Sequence, residues 1–149
     1  MNLITLTGIV GICACLYAIY VERNTKRNKT YTAFCDINDY MSCSMVLKSP
    51  YSRLTKMAFG LSDNSMFNVP NTYYGVLFYI AITIYPIYPF TLIPFRETLL
   101  FMASIASLLL CCILAYILYF KLNNFCAICV ATYFINIAIF LLAYKEINA

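Results

Sequence analysis

The stretch FCAICVATYFINIAIFLLAY, residues 125–144, carries no charged side chain and has the length of a helix that crosses a bilayer, about 20 residues. Three further uncharged runs precede it, at residues 3–21, 72–93 and 98–120. Backbone groups inside lipid must be hydrogen-bonded within their own segment, so each run is predicted to be a helix. The sequence therefore predicts an all-α fold, an integral membrane bundle of four transmembrane helices.

The overall composition is that of a membrane protein. The chain has 149 residues, of which 63% are hydrophobic and 11% are charged, whereas soluble domains are about one quarter charged. We expect residues 1–149 to form a single membrane-embedded domain, and we keep the first run as a permanent span because no basic residue precedes it. The chain offers no soluble surface for nucleic acid, so that partner is not expected.

The polar segment between the first two runs, residues 22–71, is predicted to form a cap over one membrane face. It contains Cys35 and Cys43 and several turn-forming residues, so short helices and turns are expected there. The second and third spans return the chain to its starting face, so the cap and the start of the fourth span lie on the same side. The connection at residues 121–124 is short, which predicts that the third and fourth helices are antiparallel neighbours.

Two arguments about the orientation of the cap disagree. Seven basic residues lie in the cap, and the positive-inside rule would make this face cytoplasmic. Disulfide chemistry favours an oxidising compartment instead, and the rule weakens for a segment of this length. On the residues alone, the orientation stays open.

The eight cysteines fall into two groups. Four lie inside the hydrophobic runs and are interpreted as small apolar packing residues, because buried free cysteine is inert. These are Cys13, Cys15, Cys111 and Cys112. The other four lie in the cap or at the start of the fourth span, and they are the candidates for chemistry.

Cys126 and Cys129 form a C-x-x-C motif at the start of the fourth helix. The spacing places both sulfurs on one helix face, where unpaired N–H groups and the helix dipole stabilise a thiolate. Cys129 lies about 4.5 Å deeper than Cys126, so Cys126 is predicted to face the cap and Cys129 the membrane interior. With Cys35 and Cys43 as a second dithiol, the four cysteines are predicted to form a redox relay.

Two other interpretations of these cysteines stay open. A four-cysteine zinc site typically has two C-x-x-C spacings. The separation of Cys35 from Cys43 fits this pattern poorly. Two static structural disulfides also fit, because spacing alone does not establish reactivity. We expect no metal and no permanently bound cofactor.

The chain has no histidine, which excludes the usual histidine-based nucleophilic and metal-hydrolytic sites and leaves sulfur chemistry. A lipid-soluble electrophile such as a quinone would enter between helices and meet Cys129. Asn71 and Tyr133 are the candidates to hydrogen-bond its carbonyl oxygens. Alternatively, Asn71 caps a helix and Tyr133 belongs to an interfacial aromatic belt. Asn136 is expected to bond between helices.

Three segments together resemble the vitamin K epoxide reductase family. They are FCAICVATYFIN at residues 125–136, CDINDYMSCS at 35–44 and NTYYG at 71–75. The resemblance extends over nearly the whole chain, including span order and cysteine spacing. It implies a multi-pass enzyme of the endoplasmic reticulum membrane, with a luminal cap and luminal active-site cysteines. Such an enzyme reduces vitamin K 2,3-epoxide and vitamin K quinone to hydroquinone, with dithiols as electron donors.

The resemblance also implies a role for each cysteine. Cys129 would be the catalytic thiol that attacks the substrate, and Cys126 would complete the active-site disulfide and exchange with Cys43. Cys35 would pair with Cys43 and receive electrons from a thioredoxin-like luminal partner or a nascent chain.

The substrate pocket follows from the resemblance in the same way. Asn71 and Tyr133 would be the substrate-binding pair, and the pocket would admit 4-hydroxycoumarin anticoagulants of the warfarin type. Leu47 stands where the mammalian enzymes have a phenylalanine, four residues after the second cap cysteine. The pocket wall is therefore expected to differ at Leu47.

Two further functions are compatible with the sequence. One is a quinone-linked oxidase that generates disulfides in partner proteins, in which the relay runs in reverse. Sequence does not give reduction potentials, so the direction of electron flow stays open. The chain would alternatively be a non-catalytic membrane scaffold stapled by disulfides.

Overall fold

The computed structural model describes residues 2–149, which are mainly helical and contain no β-strand in that range. The all-α prediction is confirmed. The α-helices of this part of the chain are α1 (Leu3–Arg27), α2 (Cys43–Lys48), α3 (Leu54–Phe59), α4 (Asn71–Ile84), α5 (Arg96–Tyr116) and α6 (Ala127–Ile147).

The first helix, α1, continues beyond the predicted span and ends at Arg27 rather than at Val21. Glu22 and Lys26 form an ion pair at 2.5 Å, and pairs one turn apart stabilise a helix. Lys26 and Arg27 also lie in the last turn, where positive charge interacts favourably with the helix dipole. The irregular part of the cap therefore begins only after Arg27.

The helix α4 is shorter than the predicted second span over residues 72–93. It ends at Ile84, and turns with a short 3-10 helix follow it. Pro86 and Pro89 explain the early end, because proline lacks the N–H that continues a helix and its ring clashes with the preceding turn. With 14 residues, α4 is about 21 Å long, and the apolar part of a bilayer is about 30 Å thick.

Among residues 2–149, three helices are long and apolar enough to cross a membrane. They are α1, α6 and the run Arg96–Lys121, which α5 forms with the π-helical turn that follows it. The four predicted spans thus correspond to three long helices and one shorter apolar helix, α4. Helix length alone does not establish the predicted fourth crossing.

The helices α1 and α4 pack closely because glycines face the partner helix. A Cβ atom added to Gly8 would lie 2.3 Å from Oγ1 of Thr83, and one added to Gly11 would lie 2.4 Å from the ring of Tyr79. The later residue of α1, Gly11, meets the earlier residue of α4, Tyr79, so the two helices are antiparallel. Any larger residue at Gly8 or Gly11 would force them apart.

The helices α5 and α6 are antiparallel neighbours, as their short connection predicts. The ring of Phe101 lies 5.6 Å from that of Phe140 and 6.2 Å from that of Tyr144. Nearer the start of α6, the side-chain amide of Asn136 donates to the sulfur of Cys111 at 3.1 Å. The expectation that Asn136 bonds between helices is therefore confirmed.

The cap segment covers the end of the bundle at which α6 begins. Leu47 of α2 is buried in a cluster with Ala18 and Val21 of α1. Further along, Arg53 donates to the carbonyl oxygen of Asn68 at 3.0 Å and closes the loop that leads into α4. The first contact holds the cap against α1, and the second closes the cap segment on itself.

Candidate active site

The cap contains a disulfide between Cys35 and Cys43, whose Cα atoms are 5.9 Å apart. Cys43 is the first residue of α2 and is fully buried, whereas Cys35 is partly exposed. Ser42 is the N-cap of this helix, and its hydroxyl accepts the N–H of Met45 at 3.3 Å. The pairing implied by the family resemblance is present, and only Cys35 is open to solvent.

The carboxylate of Asp36 organises the loop around this disulfide. It accepts the Ala33 N–H at 2.8 Å and the Ser42 hydroxyl at 2.9 Å, and it accepts both the N–H and the hydroxyl of Ser44, at 3.1 and 2.6 Å. Desolvation raises the pKa of this carboxyl, but the hydrogen bonds outweigh it and hold the pKa of Asp36 below its usual value. These bonds tie together the residues beside both cap cysteines.

The cap is hydrogen-bonded to the residues that precede α6, and we call this contact the cap junction. The side-chain oxygen of Asn124 accepts the Ser42 N–H at 2.9 Å, and the Phe125 N–H donates to the Tyr40 carbonyl at 2.8 Å. Met41 and Phe125 also form an isolated β-bridge. The cap junction therefore fixes the second cap cysteine beside the first cysteine of the C-x-x-C motif.

The buried sulfurs of Cys43 and Cys126 lie in one apolar cluster with Leu118. Cys35 and Cys129 border the same cluster. The structure therefore brings together all four cysteines predicted to form the relay. The cap pair is a disulfide, and Cys126 and Cys129 are free thiols.

Cys126 is the N-cap residue of α6, and its sulfur accepts the N–H of Cys129 at 3.4 Å. The first N–H groups of a helix have no partner within the helix, so this bond stabilises negative charge on the sulfur. Cys126 lies in the cap cluster, whereas Cys129 also borders a cavity inside the bundle. The two sulfurs thus have the orientation that the helical rise predicts.

The cavity has a volume of about 580 Å³ and a mostly apolar wall. The predicted substrate-binding residues Asn71, Tyr133 and Leu47 all border it, as does Cys129. The other three relay cysteines do not. A cavity of this size and polarity suits a lipid-soluble ligand with a few hydrogen-bonding atoms.

Asn71 is the first residue of α4, but its side chain bonds the cap instead of capping its own helix. Its oxygen accepts the Leu54 N–H at 3.1 Å, and its nitrogen donates to the Tyr51 carbonyl at 3.3 Å. An amide nitrogen carries two N–H groups, so one remains for a ligand. By contrast, the hydroxyl of Tyr133 makes no hydrogen bond within residues 2–149.

Sequence reasoning missed Tyr79, and it named Asn136 only for a bond between helices and not as a residue of the cavity wall. The Tyr79 hydroxyl donates to the side-chain oxygen of Asn136 at 3.3 Å, and Asn136 in turn donates to Cys111. Cys15 and Cys111 were expected only to pack, but both border the cavity. One signal was available, because Asn136 follows Cys129 by two helical turns and therefore shares its face.

The residues described here offer no evident metal site. Within residues 2–149, no group of three or more histidine, cysteine, aspartate or glutamate side chains is placed to hold a metal ion. Cys35 and Cys43 are joined to each other, and a disulfide sulfur is not a thiolate ligand. The arrangement gives the zinc interpretation no support.

Comparison with known proteins identifies the family. A model of the vitamin K epoxide reductase family matches residues 2–144. The vitamin K epoxide reductase complex subunit 1 of Rattus norvegicus is 33% identical over 144 residues, and that of Mus musculus is 32% identical over 144 residues. Each comparison covers 93% of this chain and 85% of the relative. The chain therefore belongs to the vitamin K epoxide reductase family and is a membrane oxidoreductase of that type.

Proposed function

We propose that the protein reduces vitamin K 2,3-epoxide and vitamin K quinone to the hydroquinone, with electrons relayed from the cap cysteines to the active-site pair. The position of Cys126 carries this proposal. Its sulfur shares a buried cluster with Cys43 and bonds the N–H of Cys129, which borders the cavity. The name of the relatives supports the substrate.

The relay balances as a series of thiol-disulfide exchanges. A donor thiolate attacks Cys35, the bond to Cys43 breaks, and the electron pair leaves on Cys43 as a thiolate. The second donor thiol attacks the donor sulfur bound to Cys35, which releases the oxidised donor and a Cys35 thiolate. Cys43 then attacks Cys126 of an oxidised active-site pair, and the bond to Cys129 breaks to leave a Cys129 thiolate. The Cys35 thiolate then displaces Cys126, which restores the cap disulfide and leaves a dithiol at Cys126 and Cys129. Two electrons and two protons move in each cycle.

At the cavity, Cys129 attacks the substrate, and Cys126 then closes the active-site disulfide. The epoxide takes up two electrons and two protons to give the quinone and water, and the quinone takes up the same to give the hydroquinone. The free N–H of Asn71 and the unpaired hydroxyl of Tyr133 supply hydrogen bonds to the substrate oxygens. Flat 4-hydroxycoumarins would compete for the same cavity, beside Leu47.

We further propose that the chain crosses the membrane four times, with its cap in the lumen of the endoplasmic reticulum. Tyr85 and Pro86, just after α4, share the wall of a second cavity with Asn2 and Leu3 at the start of α1. The chain after α4 therefore reaches the level at which α1 begins, which supports a fourth crossing formed by α4 and the turns that follow it. A luminal cap agrees with the presence of a disulfide.

Turnover of purified protein in lipid nanodiscs tests the function. With vitamin K 2,3-epoxide and dithiothreitol, we expect quinone and hydroquinone to form, and Cys129→Ser to reduce the rate by roughly 1000-fold. Cys112→Ser is the matched control, because Cys112 is an exposed free thiol away from the cluster. Undiminished turnover in Cys129→Ser would contradict the proposal. Oxidation of partner thiols without epoxide reduction would show that the relay runs in reverse.

A further inference from the structure

The second cavity lies at the end of the bundle away from the cap and has a volume of about 330 Å³. It is bordered by Asn2 at the start of α1, Tyr85 just after α4, Arg96 at the start of α5 and Lys145 near the end of α6. Because α1, α5 and α6 are long enough to cross a bilayer, these helix ends lie level with the lipid headgroups on the side opposite the cap. A ligand of this cavity would therefore come from the membrane surface.

Arg96 is fixed at the cavity wall with most of its hydrogen-bond donors unused. Its Nε donates to the Glu97 carboxylate at 2.9 Å, and its guanidinium carbon lies 5.0 Å from the centre of the Tyr85 ring. The N–H groups of its terminal nitrogens have no acceptor within residues 2–149. Paired guanidinium N–H groups bind the oxygens of a phosphate, so the wall presents a preformed site for a phosphate group.

Two neighbours of Arg96 would add donors to the same anion. The Lys145 ammonium belongs to the last turn of α6 and forms no ion pair within residues 2–149. The Tyr85 hydroxyl is buried and lacks a hydrogen-bond partner in that range, which costs free energy until an acceptor is supplied. Phosphate oxygens would supply acceptors for both groups.

The remaining charged residue of the wall, Glu146, has the opposite sign. Together with Glu97, it balances the two cations described above, so these four side chains carry no net charge. A ligand with negative charge alone would be attracted by the cations and repelled by Glu146. A zwitterionic ligand, which carries an anion and a cation, matches both signs.

We propose that the second cavity binds the headgroup of a zwitterionic phospholipid whose ammonium group carries N–H donors, as phosphatidylethanolamine does. The phosphate bonds Arg96 and Lys145, and the ammonium bonds the Glu146 carboxylate. Phosphatidylcholine carries the same charges, but its quaternary ammonium has no N–H to donate and it therefore binds more weakly. The bound headgroup ties the turns after α4 to the ends of α5 and α6. The site is separate from the redox relay, so the proposal does not depend on the proposed function.

Thermal unfolding of the purified protein in detergent tests the site, because a ligand that binds only the folded state raises the unfolding midpoint. Phosphatidylethanolamine and phosphatidylcholine with identical acyl chains are added separately at equal mole fraction, and the readout is the difference between the two midpoints. We expect phosphatidylethanolamine to give a midpoint roughly 3–6 °C higher. Glu146→Gln should make the two lipids equivalent.

Arg96→Gln should abolish the difference between the two lipids, and Lys145→Gln should reduce it. Each variant is compared with itself in the two lipids, so a general loss of stability does not change the readout. If Arg96→Gln does not fold, Lys145→Gln still tests the phosphate contact, because the Lys145 side chain is exposed. Lys121→Gln is the matched control, since Lys121 is an exposed cation at the cap end of the bundle and does not border the second cavity. It should keep the full difference.

Two results with these variants would overturn the proposal. Equal midpoints with both lipids in the native protein would show that the ammonium is not recognised. An undiminished difference in Arg96→Gln or, should that variant not fold, in Lys145→Gln would show that the lipid binds elsewhere.

Two further ligands distinguish the source of the phosphate. Phosphatidylglycerol has the phosphate but no ammonium, and a midpoint at least as high as that with phosphatidylethanolamine would overturn the zwitterionic assignment. Inorganic phosphate alone should leave the midpoint nearly unchanged. If it reproduced the whole shift, the ligand would be a free anion rather than a lipid, and the proposal would be overturned.

Discussion

The two sides of the C-x-x-C motif are built in opposite ways. On the cap side, Asp36 holds the loop together by hydrogen bonds, and the cap junction connects this loop to the start of α6. On the cavity side, the wall is mostly apolar, and the Tyr133 hydroxyl has no partner within residues 2–149. Sulfur exchange requires two sulfurs in fixed contact, whereas a lipid-borne substrate must enter and leave. Changes on the cap side should therefore alter electron transfer and stability, and changes on the cavity side should alter substrate binding.

The largest effect is expected where the two sides meet, at Cys126. Cys126→Ser should lower epoxide turnover by roughly 1000-fold, because it removes the sulfur that accepts electrons from Cys43 and closes the disulfide with Cys129. The measurement is product formation with dithiothreitol and, separately, with reduced thioredoxin. Cys13→Ser, an exposed cysteine of α1, should keep full activity. Appreciable turnover in Cys126→Ser with either donor would show that the two sides do not communicate through this sulfur.

On the cap side, Asp36→Asn should destabilise the protein by about 1–3 kcal/mol, because an amide cannot accept all the hydrogen bonds that the carboxylate accepts. Epoxide turnover should also fall, because the same loop positions Cys43. Thermal unfolding in detergent at neutral pH measures the effect. Asp39→Asn is the control, because Asp39 is exposed and should leave the unfolding midpoint unchanged.

The same substitution predicts a change in pH dependence. The pKa of Asp36 is lower in the folded protein than in the unfolded chain, so its stabilisation is present above the unfolded pKa, about 3.9, and is lost as the pH falls through the folded pKa. The native protein should lose this contribution in acid below about pH 4. Asp36→Asn should show a smaller loss of stability over that range, and an identical acid profile in both proteins would contradict the assignment.

A smaller effect on the cap side is expected at Asn124. Asn124→Ala removes the oxygen that accepts the N–H groups of Ser42 and Phe125, so turnover should fall by roughly tenfold. Asn124→Asp keeps an acceptor oxygen in the same place and should restore most of the rate. The readout specific to positioning is the rate at which a Cys43–Cys126 mixed disulfide forms. A general loss of stability would instead lower the turnover of both variants to the same extent.

Local patterns in the sequence predicted what lies on one helix. The hydrophobic runs gave α5 and α6 with nearly correct limits, and the C-x-x-C spacing gave the orientation of Cys126 and Cys129. The second run, at residues 72–93, extends past the end of α4 at Ile84, because hydrophobicity continues where Pro86 and Pro89 stop the helix. The hydrogen bonds between the cap and the start of α6 were not predictable.

Asp36 and Asn124 show why those contacts were missed. Asp36 has no pattern that distinguishes it from a solvated loop residue, and Asn124 meets the cap only because the cap folds back onto the start of α6. The cavity position of Cys111 likewise depends on how α5 turns its face toward α6. Periodicity gives the faces of one helix, but packing between helices decides which faces meet.

On the cavity side, the smallest effect is expected at Tyr133. Tyr133→Phe removes a hydroxyl that bonds nothing in the protein, so the unfolding midpoint should not change. The KM for the epoxide should rise about fivefold if the hydroxyl bonds the substrate, which is the expected cost of one neutral hydrogen bond. Asn71→Ala should differ by lowering both substrate affinity and stability, because the Asn71 amide also bonds Leu54 and Tyr51. An unchanged KM in Tyr133→Phe would remove Tyr133 from the substrate-binding pair and leave it as a wall residue.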